Sequence, residues 1–544
     1  MNVFLLYEDK DWGSAPKYSD ANNIIHDLGL KTIFSVSAKE VLREDDKVTG
    51  VSQEDLFLSQ TMKTVMMTPL ISEKEIMYRQ KMLRDAIRKK KLIGELYSLV
   101  EEMLRTWDVL GRKENRKGVT KSSASRLISD IYVLKLFVET LSTLKKRLGE
   151  EILQFDAAGF HAFYERLCET FTDEKEEALN KIIEDISFYT GDAKKEEDIP
   201  AWRAKATLKP KFVLGFQIAG GLKCDQFVVE EVSTKNQKFK SRNSFGERFQ
   251  EFWNMKKPGA FDVRNMPEIG EQVDALEYEV VRFVVSYCSS FIYEFSHFFD
   301  ELRFELGFYK AAILLEQHIN RFGLPYYFPT VGDRGALRFK NLKEFVMAME
   351  QRIVPVGNTC DISDKMLLVI TGANQGGKST FLRSIGIAQI MMQCGLPVIA
   401  DQYESGIFPS FFTHFTRRED SAMNSGRLDE ELNRMSQIVD HLGESSMVLL
   451  NESFATTTEK EGSVIAYDIA KALTEAGVKV LTVTHLLSFA QRIYKEREEN
   501  QDTGIEFFSA ERTEDGKRTY RMIQHEPELT SFGIDLYNSI IEEA

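Results

Sequence analysis

A chain of 544 residues with 43% hydrophobic and 28% charged side chains has the make-up of a globular protein with several cores, at roughly 150 residues per domain. Its formal net charge of −14 excludes a surface coated in positive potential, although a basic patch confined to one cleft stays compatible with that total. No apolar run reaches the length of a membrane span, the N-terminus carries Glu8, Asp9 and Asp11 where a leader would be basic and then apolar, and Cys168, Cys224, Cys288, Cys360 and Cys394 form no C-x-x-C pair, so the expectation is a cytoplasmic protein with free thiols and no membrane contact.

Residues 1–60 mix a short apolar run at 3–7 with a helical piece at 21–28 and read as a small N-terminal module. Residues 61–200 read as a helical core domain, with helical patterns at 72–110, 123–148, 160–167 and 174–189. The basic runs Arg88-Lys-Lys-Lys91 and 112–121 are either solvated helix faces or nucleic-acid contacts. After Pro200 and Pro210 the period changes: residues 212–218 and 226–232 read as strands around Gly220-Gly221, opening a β-containing insertion over 201–260. Within it Lys238, Lys240, Arg242 and Arg248 interleave with Phe239, Phe245, Phe249 and Trp253. They are candidates for contacting phosphates while the rings stack on bases, or for solvated cations over a buried aromatic core. No proline falls between Pro267 and Pro325, which permits a long lever helix over 261–322. From 323 to 544 strand and helix patterns alternate, the mark of a parallel α/β domain, and Asp515-Gly516 between 505–508 and 519–522 predicts an antiparallel hairpin.

The segment Val369-Ile-Thr-Gly372-Ala-Asn374-Gln-Gly376-Gly377-Lys378-Ser379-Thr380 is a G-x-x-x-x-G-K-[ST] loop between a buried-strand run at 366–370 and a helix with Phe381, Ile385, Ala388 and Met392 on one face. The glycines let successive backbone N–H groups turn toward one phosphate, and the helix N-terminus faces the same anion. Lys378 can reach the β- and γ-phosphates, and the Ser379 hydroxyl can ligate Mg²⁺. ATP and Mg²⁺ are therefore the expected ligands, with Gly372, Asn374, Gly376, Gly377, Lys378, Ser379 and Thr380 lining the nucleotide.

Further on, Met447-Val-Leu-Leu-Asn451-Glu452 has the form of a second nucleotide-site strand. Its first polar residue would sit in the magnesium shell, through water. Asn451 keeps one acceptor oxygen there without the charge of an Asp, so weaker Mg²⁺ binding or slow turnover is expected. Glu452 is placed to orient or deprotonate the attacking water. Ser425-Gly426 opens an amphipathic helix (Leu428, Leu432, Met435, Val439, Leu442) and is either an ordinary cap or a γ-phosphate grip. Ser453-Phe-Ala-Thr456-Thr457-Thr458 forms a polar loop behind Glu452, and His485 ends the strand run 478–484 where a γ-phosphate sensor would stand.

These segments resemble the MutS mismatch-repair ATPases, whose phosphate loop reads Thr-Gly-Pro-Asn-Met-Gly-Gly-Lys-Ser-Thr. Leu396-Pro-Val-Ile-Ala400, Ser410-Phe-Phe-Thr-His-Phe-Thr, Asn451-Glu-Ser-Phe-Ala-Thr-Thr-Thr458, Thr482-Val-Thr-His485 and Ser531-Phe-Gly-Ile534 are each similar to a family segment, covering 305–540 closely and the helical part from 60 loosely. The resemblance implies an ABC-like P-loop ATPase domain at the C-terminus, after a mostly α-helical core and lever domain with a small β insertion. It also implies a head-to-head homodimer in which one phosphate loop faces Ser425 and Gly426 of the other copy, and helical arms that clamp mismatched or branched DNA on ATP binding. Departures stand beside it: Asn451 replaces Asp, and Gly426-Arg427-Leu428 replaces Ser-Thr-Phe while Glu431 matches. With only residues 1–60 ahead of the helices, the mismatch-reading domain is expected to be absent, and Phe163-Tyr164-Glu165 is a chance match to its Phe-x-Glu wedge. The family's C-terminal dimerisation helices and a nicking nuclease are likewise not expected. The chain reads as a DNA clamp in mismatch repair or related DNA maintenance. Alternatives are a nucleotide-gated interaction protein acting on another assembly, such as a stalled ribosome or a repair partner, with little DNA affinity, or a hydrolysis-poor scaffold.

Overall fold

The computed structural model describes residues 3–10, 13, 15–39, 52–115, 123–190, 212–219, 223–232, 267–416, 426–443, 445–513 and 517–527. The chain divides into two compact units that interleave along the sequence: Met1–Val3, Glu95–Gln154 and Ala162–Arg303 form one, and Phe4–Gly94, Phe155–His161 and Phe304–Ala544 the other. The helices Lys90–Asn115, Ala158–Thr170 and Pro267–Arg321 each contribute residues to both units.

In the first unit the helices Ser123–Glu151 and Asp173–Thr190 lie against each other. Phe137 packs on Phe299 and, edge-on, on Trp107, and the buried Glu101 pairs with Arg303 at 2.5 Å. Phe163 lies inside the helix Ala158–Thr170, buried and stacked on Phe298, so the Phe-x-Glu match there is a core position. Strands β1 (Phe212–Ala219) and β2 (Lys223–Val232) pair antiparallel and contain the two strand runs read at 212–218 and 226–232. The proline-free stretch is one helix of 55 residues, Pro267–Arg321.

The second unit carries the rest of the strands. β3 (Thr330–Val331), β4 (Leu337–Leu342), β5 (Asn358–Asp361), β6 (Leu367–Thr371), β7 (Gln402–Ser405) and β8 (Ser410–Phe415) precede the helix Arg427–Asp440. β9 (Ser446–Asn451), β10 (Lys479–Val483), β11 (Ile505–Arg512) and β12 (Arg518–Gln524) follow it. The main sheet has the order β12-β11-β6-β10-β9-β8, parallel except for the β11–β12 hairpin that Asp515-Gly516 foretold. Every residue of β6 and of β10 is buried, which is why both read as unbroken apolar runs: parallel strands are covered on both faces. A smaller sheet, β3-β7-β4-β5, had no counterpart in the sequence reading. The helix Lys378–Gln393 is buried along nearly its whole length, with Phe381 ringed by Phe339 of β4 and Phe508 of β11 at centroid distances of 6.1 and 6.2 Å.

The N-terminal segment is built into this unit. Leu5 and Leu6 donate their N–H groups to Glu305 Oε2 at 2.5 and 3.0 Å, and the Tyr309 hydroxyl donates to Leu5 O at 2.6 Å. The helix Ala21–Asp27 covers β8, the last strand of the main sheet, which hides an edge that would otherwise be open to pairing. Its last residue, Asp27, is 3% exposed, accepts the Phe415 N–H at 3.3 Å and faces Arg434 at 3.5 Å.

Candidate functional site

Three neighbouring strands, β6, β10 and β9, run parallel and end at one sheet edge, where α/β folds place their ligand crevices. The register aligns Val483 with both Ile370 and Asn451, so the residues after each strand end emerge side by side. The ladder continues past the strands: Thr484 N–H donates to Ile370 O at 3.1 Å and Glu452 N–H to Val483 O at 2.8 Å.

After β6 the chain curls back on itself, with Gly376 N–H donating to Ala373 O at 3.2 Å and Gly377 capping the following helix at φ 94°. A Cβ at Gly376 would lie 2.7 Å from Ala510 Cβ, and one at Gly372 only 3.0 Å from Ala510 N, so β11 sets how closely this loop must be packed. Lys378 is 5% exposed and its Nζ donates to Gly372 O at 2.7 Å and Ala373 O at 3.1 Å, which holds its positive end inside the curl of the loop. Asn374 is exposed at the loop crest, and Ser379 and Thr380 are half-buried at the helix start. Gln375, also at positive φ (60°), accepts a 3.1 Å hydrogen bond from Arg518 Nη1, a contact from β12 that sequence reading missed.

From β9 comes Asn451, whose Oδ1 accepts the Ser379 hydroxyl at 2.8 Å. Glu452 then takes a left-handed conformation, φ 56°, and Phe454 another at 63°. Such backbone in non-glycine residues costs on the order of 1–3 kcal/mol each and persists where the surroundings fix it. The turn aims the Glu452 carboxylate across to the end of β10. There Oε2 accepts the His485 backbone N–H at 3.2 Å and hydrogen-bonds the ring Nδ1. The Glu452 bond holds the His485 pKa above its ordinary value, partly opposed by desolvation. The two residues read separately as base and sensor thus form one hydrogen-bonded pair.

Gly426 caps the helix Arg427–Asp440, and nothing lies within 4 Å of where its Cβ would be. Ser425, Lys238, Lys240, Arg242, Arg248 and the 531–534 segment lie outside the described residues. One turn into that helix Glu431, 5% exposed, sits between Thr416 Oγ1 at 3.2 Å and Thr456 Oγ1 at 3.1 Å, and burial raises its pKa. Beside it His414 is fully buried, stacked on Phe454, and held between Ser453 Oγ at 2.8 Å and Glu431 O at 3.0 Å; desolvation lowers its pKa to about 4, so its ring is neutral at neutral pH. Of this cluster the sequence signalled Glu431 as a matched position, Ser453 and Thr456 as members of a polar loop, and His414 and Thr416 as part of a family-like segment, without pointing to their contacts. Among the described residues no group of three or more His, Cys, Asp or Glu side chains could hold a metal, and no helix is long and apolar enough to cross a membrane.

Comparison with known proteins matches two stretches of the chain. Residues 368–541 match MutS domain V, and residues 72–193 match the MutS2 N-terminal domain. A "DNA mismatch repair protein MutS" of Thermotoga sp. (strain RQ2) is 36% identical over 129 residues, 24% of this chain and 16% of that protein. An "Endonuclease MutS2" of Carboxydothermus hydrogenoformans is 30% identical over 242 residues, 43% of this chain and 29% of that protein. Another, of Caldicellulosiruptor bescii, is 26% identical over 260 residues, 46% and 30% respectively. The matched region spans less than a third of the length of these relatives.

Proposed function

The chain belongs to the MutS family, and on that premise we propose that it is an ATPase that couples nucleotide binding and dimer closure to holding mismatched or branched DNA. The single observation that carries this reading is the crevice at the ends of β6, β9 and β10, where a phosphate loop, a polar strand end and the Glu452–His485 pair stand together.

Within that reading the backbone N–H groups of the loop and the start of the helix Lys378–Gln393 bind the phosphates, and Lys378 trades its bonds to Gly372 O and Ala373 O for phosphate oxygens. Two neutral oxygens, Ser379 Oγ and Asn451 Oδ1, stand 2.8 Å apart, a donor set that suits a hard divalent cation. Bound there, directly or through water, Mg²⁺ would neutralise charge on the β- and γ-phosphates. Glu452 holds the attacking water and takes its proton, and His485 fixes the direction of that carboxylate. Gly426 with Ser425 would meet the γ-phosphate bound by a second copy, which closes the dimer.

Branched rather than mismatched DNA is the favoured target, because the Phe163-Tyr164-Glu165 match is a buried core position in a helix and so is not available as a mismatch wedge. Gel shifts on homoduplex, mismatched and four-way DNA, with and without a non-hydrolysable ATP analogue, test it. Retention of the four-way junction that changes with the analogue is expected. No retardation of any duplex at low salt with nucleotide present would discard DNA in favour of a nucleotide-gated role on another assembly, a reading the net charge of −14 accommodates.

A further inference from the structure

We infer that Glu431, acting with Thr416 and Thr456, is a positioning residue that ties the backbone of Glu452 to the helix begun by Gly426; this rests on the ATPase reading above. Thr416 Oγ1 lies 2.5 Å from Glu452 O and 3.2 Å from Glu431 Oε1, and Thr456 Oγ1 lies 3.1 Å from Glu431 Oε2. Glu452 O is a carbonyl and can only accept, so the one proton of the Thr416 hydroxyl goes to it. Glu431 therefore meets the oxygen of Thr416 rather than its proton. That arrangement is satisfied when the Glu431 carboxyl is neutral and donates, giving the chain Glu431 → Thr416 → Glu452 O. Its other oxygen accepts from Thr456.

The same helix is fastened to the crevice at further points. Arg434 Nη1 donates to Phe415 O at 3.0 Å, one residue before Thr416, and the ring Nε2 of His414 contacts Glu431 O while its Nδ1 contacts Ser453. Glu452 itself occupies a left-handed conformation that its neighbours must hold. Gly426 stands at the exposed start of the fastened helix, five residues ahead of Glu431. The consequence is that occupation of the Gly426 end by a partner's nucleotide is felt in the same chain's Glu452: the end that grips one ATP sets the base that attacks the other.

The test compares the full chain with Glu431→Ala, Glu431→Gln, Thr416→Val and Thr456→Val, reading kcat and KM for ATP and the affinity of a fluorescent ATP analogue. Glu431→Ala and Thr416→Val are expected to lower kcat about tenfold or more while KM and analogue affinity stay within about twofold, because phosphate binding does not pass through them. Glu431→Gln, whose amide donates to Thr416 and accepts from Thr456, is expected to keep kcat within about threefold of the native chain. Thr456→Val falls between these, its thermal melt reporting that the fold is kept. Native kcat in Glu431→Ala, loss of analogue binding in step with kcat, or a Gln variant as slow as the Ala variant would each overturn the assignment. A native chain that hydrolyses ATP and stops on Glu452→Gln, yet is indifferent to Glu431→Ala, fails this inference alone. A native chain without hydrolysis fails the ATPase reading and the positioning role of Glu431 with it.

Discussion

Ser379 and Asn451 meet side chain to side chain, the serine hydroxyl donating a 2.8 Å hydrogen bond to the amide Oδ1. The contact joins the helix Lys378–Gln393 to the end of β9, and on the proposed ATPase reading it would offer a bound cation an uncharged oxygen in place of a carboxylate. Asn451→Asp places a negative charge beside Ser379 without changing the side chain's size. The expected result is a magnesium requirement for ATP hydrolysis lowered several-fold, read as the half-saturating Mg²⁺ concentration. An unchanged or higher requirement would show that Asn451 stands outside the metal's surroundings.

The Glu452–His485 pair makes stability depend on pH in one direction. The pKa of His485 is raised in the folded chain, first by its hydrogen bond to Glu452, so the pair's contribution is complete below the unfolded value of about 6.5 and is lost as pH rises through the folded value. His485 is half-exposed, so solvent screens much of the effect. Glu452→Gln should therefore lower the melting temperature more at pH 6 than at pH 9. An equal shift at both would mean that the pairing does not persist in solution.

Gly376 has no room for a side chain: its Cβ would fall 2.7 Å from Ala510 Cβ and 2.9 Å from Ala373 O. Gly376→Ala should weaken ATP binding about tenfold or more by prying the loop off β11, with the fold retained. Adding Ala510→Gly removes one of the two clashes and should restore part of the affinity in a nucleotide titration. If the second change restores nothing, packing against β11 is not what shapes the loop.

Asp27 anchors the N-terminal segment to the rest of the second unit through Phe415 N–H and Arg434, and it is nearly inaccessible to water. Asp27→Ala removes a buried carboxylate that faces Arg434 and accepts the Phe415 N–H, and should destabilise the unit by about 3 kcal/mol, measured by urea unfolding. A loss below about 1 kcal/mol would show that Asp27 does not hold residues 15–39 to the unit.

What was legible follows from burial. β6, β9 and β10 announced themselves because a parallel strand covered on both faces is an unbroken apolar run, and the β11–β12 hairpin because Asp515-Gly516 separates two strand-like runs in the sequence. The strands β3, β4, β5 and β7 did not: they have 2, 6, 4 and 4 residues, too short to establish a period among polar neighbours. The integration of residues 4–39 was hidden for a different reason. Leu5, Leu6 and Tyr7 are buried without belonging to any helix or strand, held by Glu305, Tyr309 and Arg79 from far along the chain. At the site, the residue types for phosphate, metal and water chemistry could be named from the loop motif and the strand ends. The bonds from Glu431 to Thr416 and Thr456 and from Arg518 to Gln375 could not, since each joins segments whose spacing in sequence carries no pattern.

Steady-state ATP hydrolysis by the native chain, Lys378→Ala and Glu452→Gln, alongside analogue binding by each, asks most directly whether this crevice turns over nucleotide. Hydrolysis should fall about a hundredfold or more in both variants, with analogue binding lost in Lys378→Ala and kept in Glu452→Gln. Equal hydrolysis rates in all three proteins would contradict the assignment of the phosphate loop and of Glu452 together.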